Sequence, residues 1–130
     1  MIEILKLKQM LKKANIPFEF TDDKNHYKEI VATNNLELIK AAKDLEKSYR
    51  IIIYKYGKRL CDVIYGYGSY GYEQGLLEIM GGLTKEENEN SSVLGYLTAE
   101  EVFKRFKYCY DNETNFYKKE AIYESIRSGK

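Results

Sequence analysis

Residues 60–83 read Leu60-Cys61-Asp62-Val63-Ile64-Tyr65-Gly66-Tyr67-Gly68-Ser69-Tyr70-Gly71-Tyr72-Glu73-Gln74-Gly75-Leu76-Leu77-Glu78-Ile79-Met80-Gly81-Gly82-Leu83, and the fold turns on how they are read. A β-branched and aromatic run comes first, then a loop of glycine and tyrosine, then a compact apolar cluster at Leu76, Leu77, Ile79 and Met80. Period-2 spacing before the glycines and a helix-like cluster after them predict strand, loop and short helix.

Upstream, residues 49–56 and 59–65 are the clearest strands, joined by Gly57-Lys58 with glycine where a type II′ turn needs it. That turn predicts Tyr54 opposite Cys61 and Ile52 opposite Val63 on one face. Ile53 then stands opposite Asp62, and Ile51 opposite Ile64, on the other. Both faces are apolar, which requires cover on both sides or a central place in the sheet. Asp62 falls among isoleucines and needs hydrogen-bond or charge partners, from the sheet rim or from the Gly/Tyr loop.

Nearer the N-terminus, Ile4, Leu7, Leu11 and Ala14 repeat at helical spacing, and Asn15-Ile16-Pro17 stops the helix. Phe18 and Phe20, a turn over residues 21–25 and a strand over 27–33 predict a first hairpin. Asn34 or Asn35 then caps a helix running to about Lys47, with Leu38, Ala41, Ala42 and Leu45 inward. Downstream, residues 83–97 form an acidic surface excursion in which Thr84 and Glu87 have capping-box spacing. Thr98-Ala99-Glu100-Glu101-Val102 is a second capping box, with Leu97 stapled onto Val102. The helix it opens buries Val102, Phe103, Phe106, Cys109 and Tyr110, breaks near Asp111-Asn112, and precedes a last helix bearing Phe116, Tyr117, Ile122, Tyr123 and Ile126.

The predicted fold class is α+β: a small antiparallel sheet of two hairpins, packed by an N-terminal helix, an inter-hairpin helix and C-terminal helices. It forms one domain over 1–130, with helix, hairpin and helix in 1–48, the central hairpin and loop in 49–82, the excursion in 83–97 and helices in 98–127. At 130 residues the chain is long enough for one core. With 21 basic against 20 acidic residues, the net charge of +1 provides no global attraction to nucleic acid or anionic membrane. Cys61 and Cys109 lie outside CxxC spacing among apolar neighbours and read as reduced, buried thiols. His26 is the single histidine, so no zinc set forms, and neither metal nor cofactor is expected. The N-terminal run lacks a signal-peptide core and nothing resembles a membrane span, which points to the cytoplasm.

No catalytic motif is present. Gly66-Tyr67-Gly68-Ser69-Tyr70-Gly71 spells GxGxxG after a strand, but no second parallel strand or ribose-binding acid follows. Gly68-Ser69-Tyr70-Gly71 is not a GxSxG elbow, and His26 would have to reach it from the first hairpin. The candidate binding residues are therefore surface ones: Tyr67, Ser69, Tyr70 and Tyr72 on the loop, Tyr56, Lys58 and Arg59 about the hairpin, and the acidic Glu86, Glu87 and Glu89. Tyrosine offers rigid amphipathic area suited to interfaces and base stacking. Arg50, Lys55, Lys58 and Arg59 suggest a basic edge beside it.

The segments Gly68-Ser69-Tyr70-Gly71-Tyr72-Glu73-Gln74-Gly75-Leu76-Leu77-Glu78-Ile79-Met80-Gly81 and Ser92-Val93-Leu94-Gly95-Tyr96-Leu97-Thr98-Ala99-Glu100-Glu101-Val102-Phe103 resemble a family of small bacteriophage and prophage proteins of low-GC Gram-positive bacteria. The likeness covers residues 59–107. It implies a small phage product acting in the bacterial cytoplasm, and it carries over no activity and no site residue. The combined expectation is a non-enzymatic protein that binds and inhibits a bacterial protein, such as a CRISPR nuclease or another defence component, alone or as a homodimer. The alternatives are a nucleotide-signal sponge at the Gly/Tyr loop and a single-stranded nucleic-acid binder.

Overall fold

Ile4, Leu7 and Leu11 recur every three to four residues, and in the computed structural model, which describes residues 1–23 and 48–118, they are the buried stripe of helix α1, Glu3–Lys13. The helix closes with a Schellman motif. Asn15 takes a left-handed φ of 57°, its N–H bonds the Lys12 carbonyl, and the Ile16 N–H bonds the Leu11 carbonyl, both at 3.1 Å.

Five strands follow: β1 (Phe18–Asp23), β2 (Ser48–Lys55), β3 (Lys58–Tyr65), β4 (Leu77–Met80) and β5 (Val93–Leu97). They form one antiparallel sheet in the order β1-β2-β3-β4-β5. Between β4 and β5 lies the short helix α2, Lys85–Asn90, and after β5 comes α3, Ala99–Asn112. Both α1 and α3 contribute to the core on one face of the sheet, α3 packing on α1 and across β2, β3 and β4. Ile51, Ile53, Cys61, Val63, Leu77 and Ile79 meet Val102, Phe106 and Cys109 there. The α+β class predicted from the sequence is the observed one.

Several local expectations change. The cluster at Leu76–Met80 is not a helix: Leu77–Met80 is strand β4, with Leu77 and Ile79 buried and Met80 exposed. A four-residue apolar run fits either period, and the free edge of β3 decides, because its backbone groups need partners that β4 supplies at Asp62↔Met80, Val63↔Ile79 and Ile64↔Glu78. The central hairpin also slips by one residue. Lys55 pairs with Lys58 around Tyr56 and Gly57, whose φ values of 52° and 76° are both left-handed, as a type I′ turn requires. Leu60 is then an extra residue, since Tyr54 pairs with Arg59 and Ile53 with Cys61. The true opposites are Ile52 with Asp62 and Ile51 with Val63, so Asp62 leaves the core face for the other one.

Thr21, Asp22 and Asp23 continue β1 instead of turning. The 83–97 stretch is a capped helix and an edge-pairing strand, not an excursion. Thr84 accepts from the Glu87 N–H at 3.1 Å and Glu87 accepts from the Thr84 N–H at 2.8 Å, completing the box. At α3, Thr98 accepts from the Glu101 N–H as expected. The carboxylate that bonds the Ala99 N–H at 2.9 Å comes from Glu3 of α1. The helix ends where expected, with Glu113 in the left-handed region. Phe116 and Tyr117 then lie in an extended segment against Leu83, not in a helix: the Gly82 N–H bonds the Asn115 carbonyl at 2.7 Å and the Tyr117 N–H bonds the Leu83 carbonyl at 2.8 Å. The predicted strand over 27–33, the inter-hairpin helix, His26 and the last helix beyond residue 118 lie outside the described residues. No described helix is long and apolar enough to cross a membrane.

Candidate functional site

At the end of the sheet where β3 stops, the Gly/Tyr loop is held by its own backbone and by two side chains. Ser69 Oγ donates to the Gly66 carbonyl at 2.7 Å and accepts from the Gly66 N–H at 3.1 Å. Glu78 Oε1 on β4 accepts from the Tyr70 N–H at 2.9 Å. Residues 72–74 form one 3-10 turn, and the Leu76 N–H returns to the Gly71 carbonyl at 2.9 Å. The far side of the loop rests on β5, where a Cβ at Gly95 would stand 2.2 Å from Tyr70 Cβ. Glycine is the residue that permits this approach. Residues 68–81 and 92–103 therefore meet in space at Tyr70–Gly71 and Gly95–Tyr96.

The same backbone sorts the tyrosines. Tyr65 and Tyr72 turn inward and continue a row of rings: Phe20 to Tyr49 at 5.8 Å, Tyr49 to Tyr65 at 6.5 Å, Tyr65 to Tyr72 at 5.1 Å between centroids. Burial pushes the Tyr65 phenol above its ordinary pKa. Tyr67 and Tyr70 point outward, 60% and 57% exposed, with Tyr67 edge-on to Tyr72 at 6.3 Å. Tyr96, 57% exposed, joins them from a bulge in β5 where its φ is 61°. Together with Glu73 and Gln74 these tyrosines line a cavity of about 620 Å³. Sequence reasoning missed Tyr96, and the signal for it was Gly95, a glycine inside a strand pattern.

A second hollow, of about 680 Å³, runs from Ser69 and Tyr67 across the sheet face opposite α3, past Arg50 and Ile52 to Tyr54 and Arg59. Asp62 is on this face, 6% exposed, and receives Arg50 Nη2 at 2.8 Å, with Arg59 Nη1 at 3.7 Å. The partners that its burial demanded are thus arginines, not loop amides. Arg50 Nε is buried and has no hydrogen-bond partner.

The remaining predicted residues are elsewhere. Tyr56 and Lys58 are exposed at the hairpin tip, which the register places at the opposite end of the sheet from the Gly/Tyr loop. Glu86 and Glu89 are exposed on α2, at that same far end. Glu87 faces inward, receiving Arg105 Nη1 at 2.7 Å and Nη2 at 3.1 Å. Burial raises its pKa, but Arg105 and the Thr84 amide more than offset this and hold the carboxyl below its ordinary value. The basic edge is also largely neutralised: Asp62 stands between Arg50 and Arg59, while Lys55 bonds the Tyr110 carbonyl at the end of α3 and faces Glu113 at 3.7 Å. Among the described residues, no three His, Cys, Asp or Glu side chains gather as a metal site requires. No protein-family model, curated protein or solved structure matches the chain.

Proposed function

We propose that this protein is a non-enzymatic binding module that docks on another protein through Tyr67, Tyr70 and Tyr96. The observation that carries the reading is the outward display of three large amphipathic side chains, Tyr67 and Tyr70 from a loop pinned by Ser69 and Glu78 and Tyr96 from the adjoining β5. Such a display loses little conformational entropy on binding, and tyrosine is among the residues that dominate interface energies. The partner class follows from the resemblance to bacteriophage proteins: a bacterial protein, of a defence kind such as a CRISPR nuclease, which the bound chain inhibits.

The test is capture from a bacterial lysate by the wild-type chain and by Tyr67→Ala, Tyr70→Ala and Tyr96→Ala variants, followed by titration of the recovered partner. A stoichiometric partner that each variant binds more weakly, by about 2 kcal/mol or roughly thirtyfold, supports the reading. Recovery of no partner, or of one indifferent to all three changes, defeats it. Self-association of the free chain in sedimentation, lost in the same variants, would redirect the surface to a homodimer.

A second reading is favoured by the hollow that Arg50 lines together with Tyr67 and Tyr54: a small nucleotide held there, ring against tyrosine and phosphate toward the exposed part of the arginine. A ligand at about 100 times its dissociation constant adds roughly 2.7 kcal/mol of stability, which a thermal-shift panel of nucleotides reads directly. Single-stranded nucleic-acid binding draws less support, because Asp62 neutralises the arginines that it would use.

A further inference from the structure

Cys61 is an inward position of β3, and Cys109 continues the stripe of Val102 and Phe106 on the face of α3 that covers it. Both sulfurs approach the same point of the backbone, Gly82. Both are free thiols, 1% and 0% exposed. The chain passes over them at Gly81-Gly82, where side chains are absent. A Cβ at Gly82 would stand 3.8 Å from each sulfur, and one at Gly81 would stand 3.4 Å from Cys61 Sγ.

We propose that this thiol pair is a site of oxidative modification, closing to a Cys61–Cys109 disulfide when the protein meets a peroxide. In the first step, Cys109 thiolate attacks one oxygen of hydrogen peroxide. The O–O bond breaks, Cys109 becomes a sulfenic acid, and the departing hydroxide takes a proton to become water. In the second, Cys61 sulfur attacks Cys109 sulfur, the S–S bond forms, the S–O bond breaks, and hydroxide leaves with the Cys61 proton as a second water. Two thiols and one peroxide become one disulfide and two waters.

The order of attack follows from the surroundings. The adjoining Cys61 thiol, the Gly82 amide dipole and the positive charge of Arg105 hold the Cys109 thiol below its ordinary pKa, against the effect of burial. The adjoining Cys109 sulfur, burial and the nearby Asp62 push Cys61 upward. Cys109 is thus the attacking sulfur and Cys61 the resolving one. The bond closes the chain between β3 and α3, a long loop whose closure restricts the unfolded state.

The experiment treats the full chain with hydrogen peroxide and then denatures and alkylates it. The expected result is loss of both alkylatable thiols, an intact mass lower by two hydrogens, a peptide joining Cys61 to Cys109, and a raised thermal midpoint that dithiothreitol reverses. Two alkylated thiols after treatment, or an intermolecular dimer as the sole disulfide product, overturns the proposal. Cys61→Ser should stop at a sulfenic acid on Cys109 that dimedone traps, and Cys109→Ser should yield no such adduct. Equal trapping in the two variants overturns the assigned order, while the wild-type readout stands whether or not either variant folds.

Discussion

The two ends of the sheet solve opposite problems. At the Gly/Tyr loop end, hydrogen bonds from Ser69 and Glu78 are spent on the backbone, so the large side chains are left facing outward. At the α2 end, charged side chains are spent on each other and on helix termini: Arg105 holds Glu87 and the Gly82 carbonyl, stacks 5.1 Å from the Tyr117 ring, and so ties α3, α2 and the 115–117 segment together. One end is built to present a surface, and the other to keep the chain closed. Residues that look alike in the sequence, an exposed tyrosine and a surface glutamate, therefore carry different consequences when removed.

Gly95→Ala should break the contrast most severely. The new methyl meets Tyr70 Cβ and the Tyr70 carbonyl, so the loop must leave β5, at a cost of about 3 kcal/mol in urea unfolding and with loss of whatever Tyr70 and Tyr96 bind together. Arg105→Ala, at the other end, should cost about 2 kcal/mol, because Glu87 and the Gly82 carbonyl lose a partly buried charged donor. Arg105→Lys should restore only part of this, since a point charge cannot replace the bidentate fork. Thr84→Ala, which removes one half of the α2 capping box, should cost about 1 kcal/mol.

Acid sharpens the same comparison. Glu87 has a folded pKa below its unfolded value, so its stabilisation is present above the unfolded pKa and is lost as pH falls through the folded one. Glu3 behaves likewise through Lys6 and the Ala99 amide. Urea midpoints measured from neutral pH down to pH about 3 should fall for the wild type and fall less for Arg105→Ala, which has already lost the Glu87 pairing. The smallest effect should come from Tyr67→Ala and Tyr70→Ala: both side chains are more than half exposed, and stability should stay within about 0.5 kcal/mol. A loss of more than that would mean that the tyrosines hold the loop instead of being displayed by it.

Much of the scaffold was legible in the chain. The apolar stripe of α1, its stop at Asn15-Ile16-Pro17, the strands β2 and β3 and the Thr98 cap of α3 are local signals, each written in a few neighbouring residues. The misreadings share a cause. Leu76–Met80 has no period long enough to distinguish helix from strand, and Tyr56-Gly57 competes with Gly57-Lys58 as a two-residue turn, a difference of one residue that reverses the faces of a strand. The candidate surface was half legible: Tyr67 and Tyr70 came from composition, whereas Tyr96 stands 26 residues after Tyr70 and joins it only through the pairing of β4 with β5.

What the amino-acid sequence determined alone is the α+β class, the inward stripes of the two described long helices, the stop of α1 and the Thr98 cap of α3, because these depend on periodicity and on side chains a few residues apart. The tertiary structure decided which tyrosines face water, which carboxylates are consumed by arginine, and that Cys61 and Cys109 share the core beside Gly82. Those outcomes depend on strand register and on helix-to-sheet packing, where a hydrogen-bond partner or a neighbouring sulfur is supplied by a distant part of the chain.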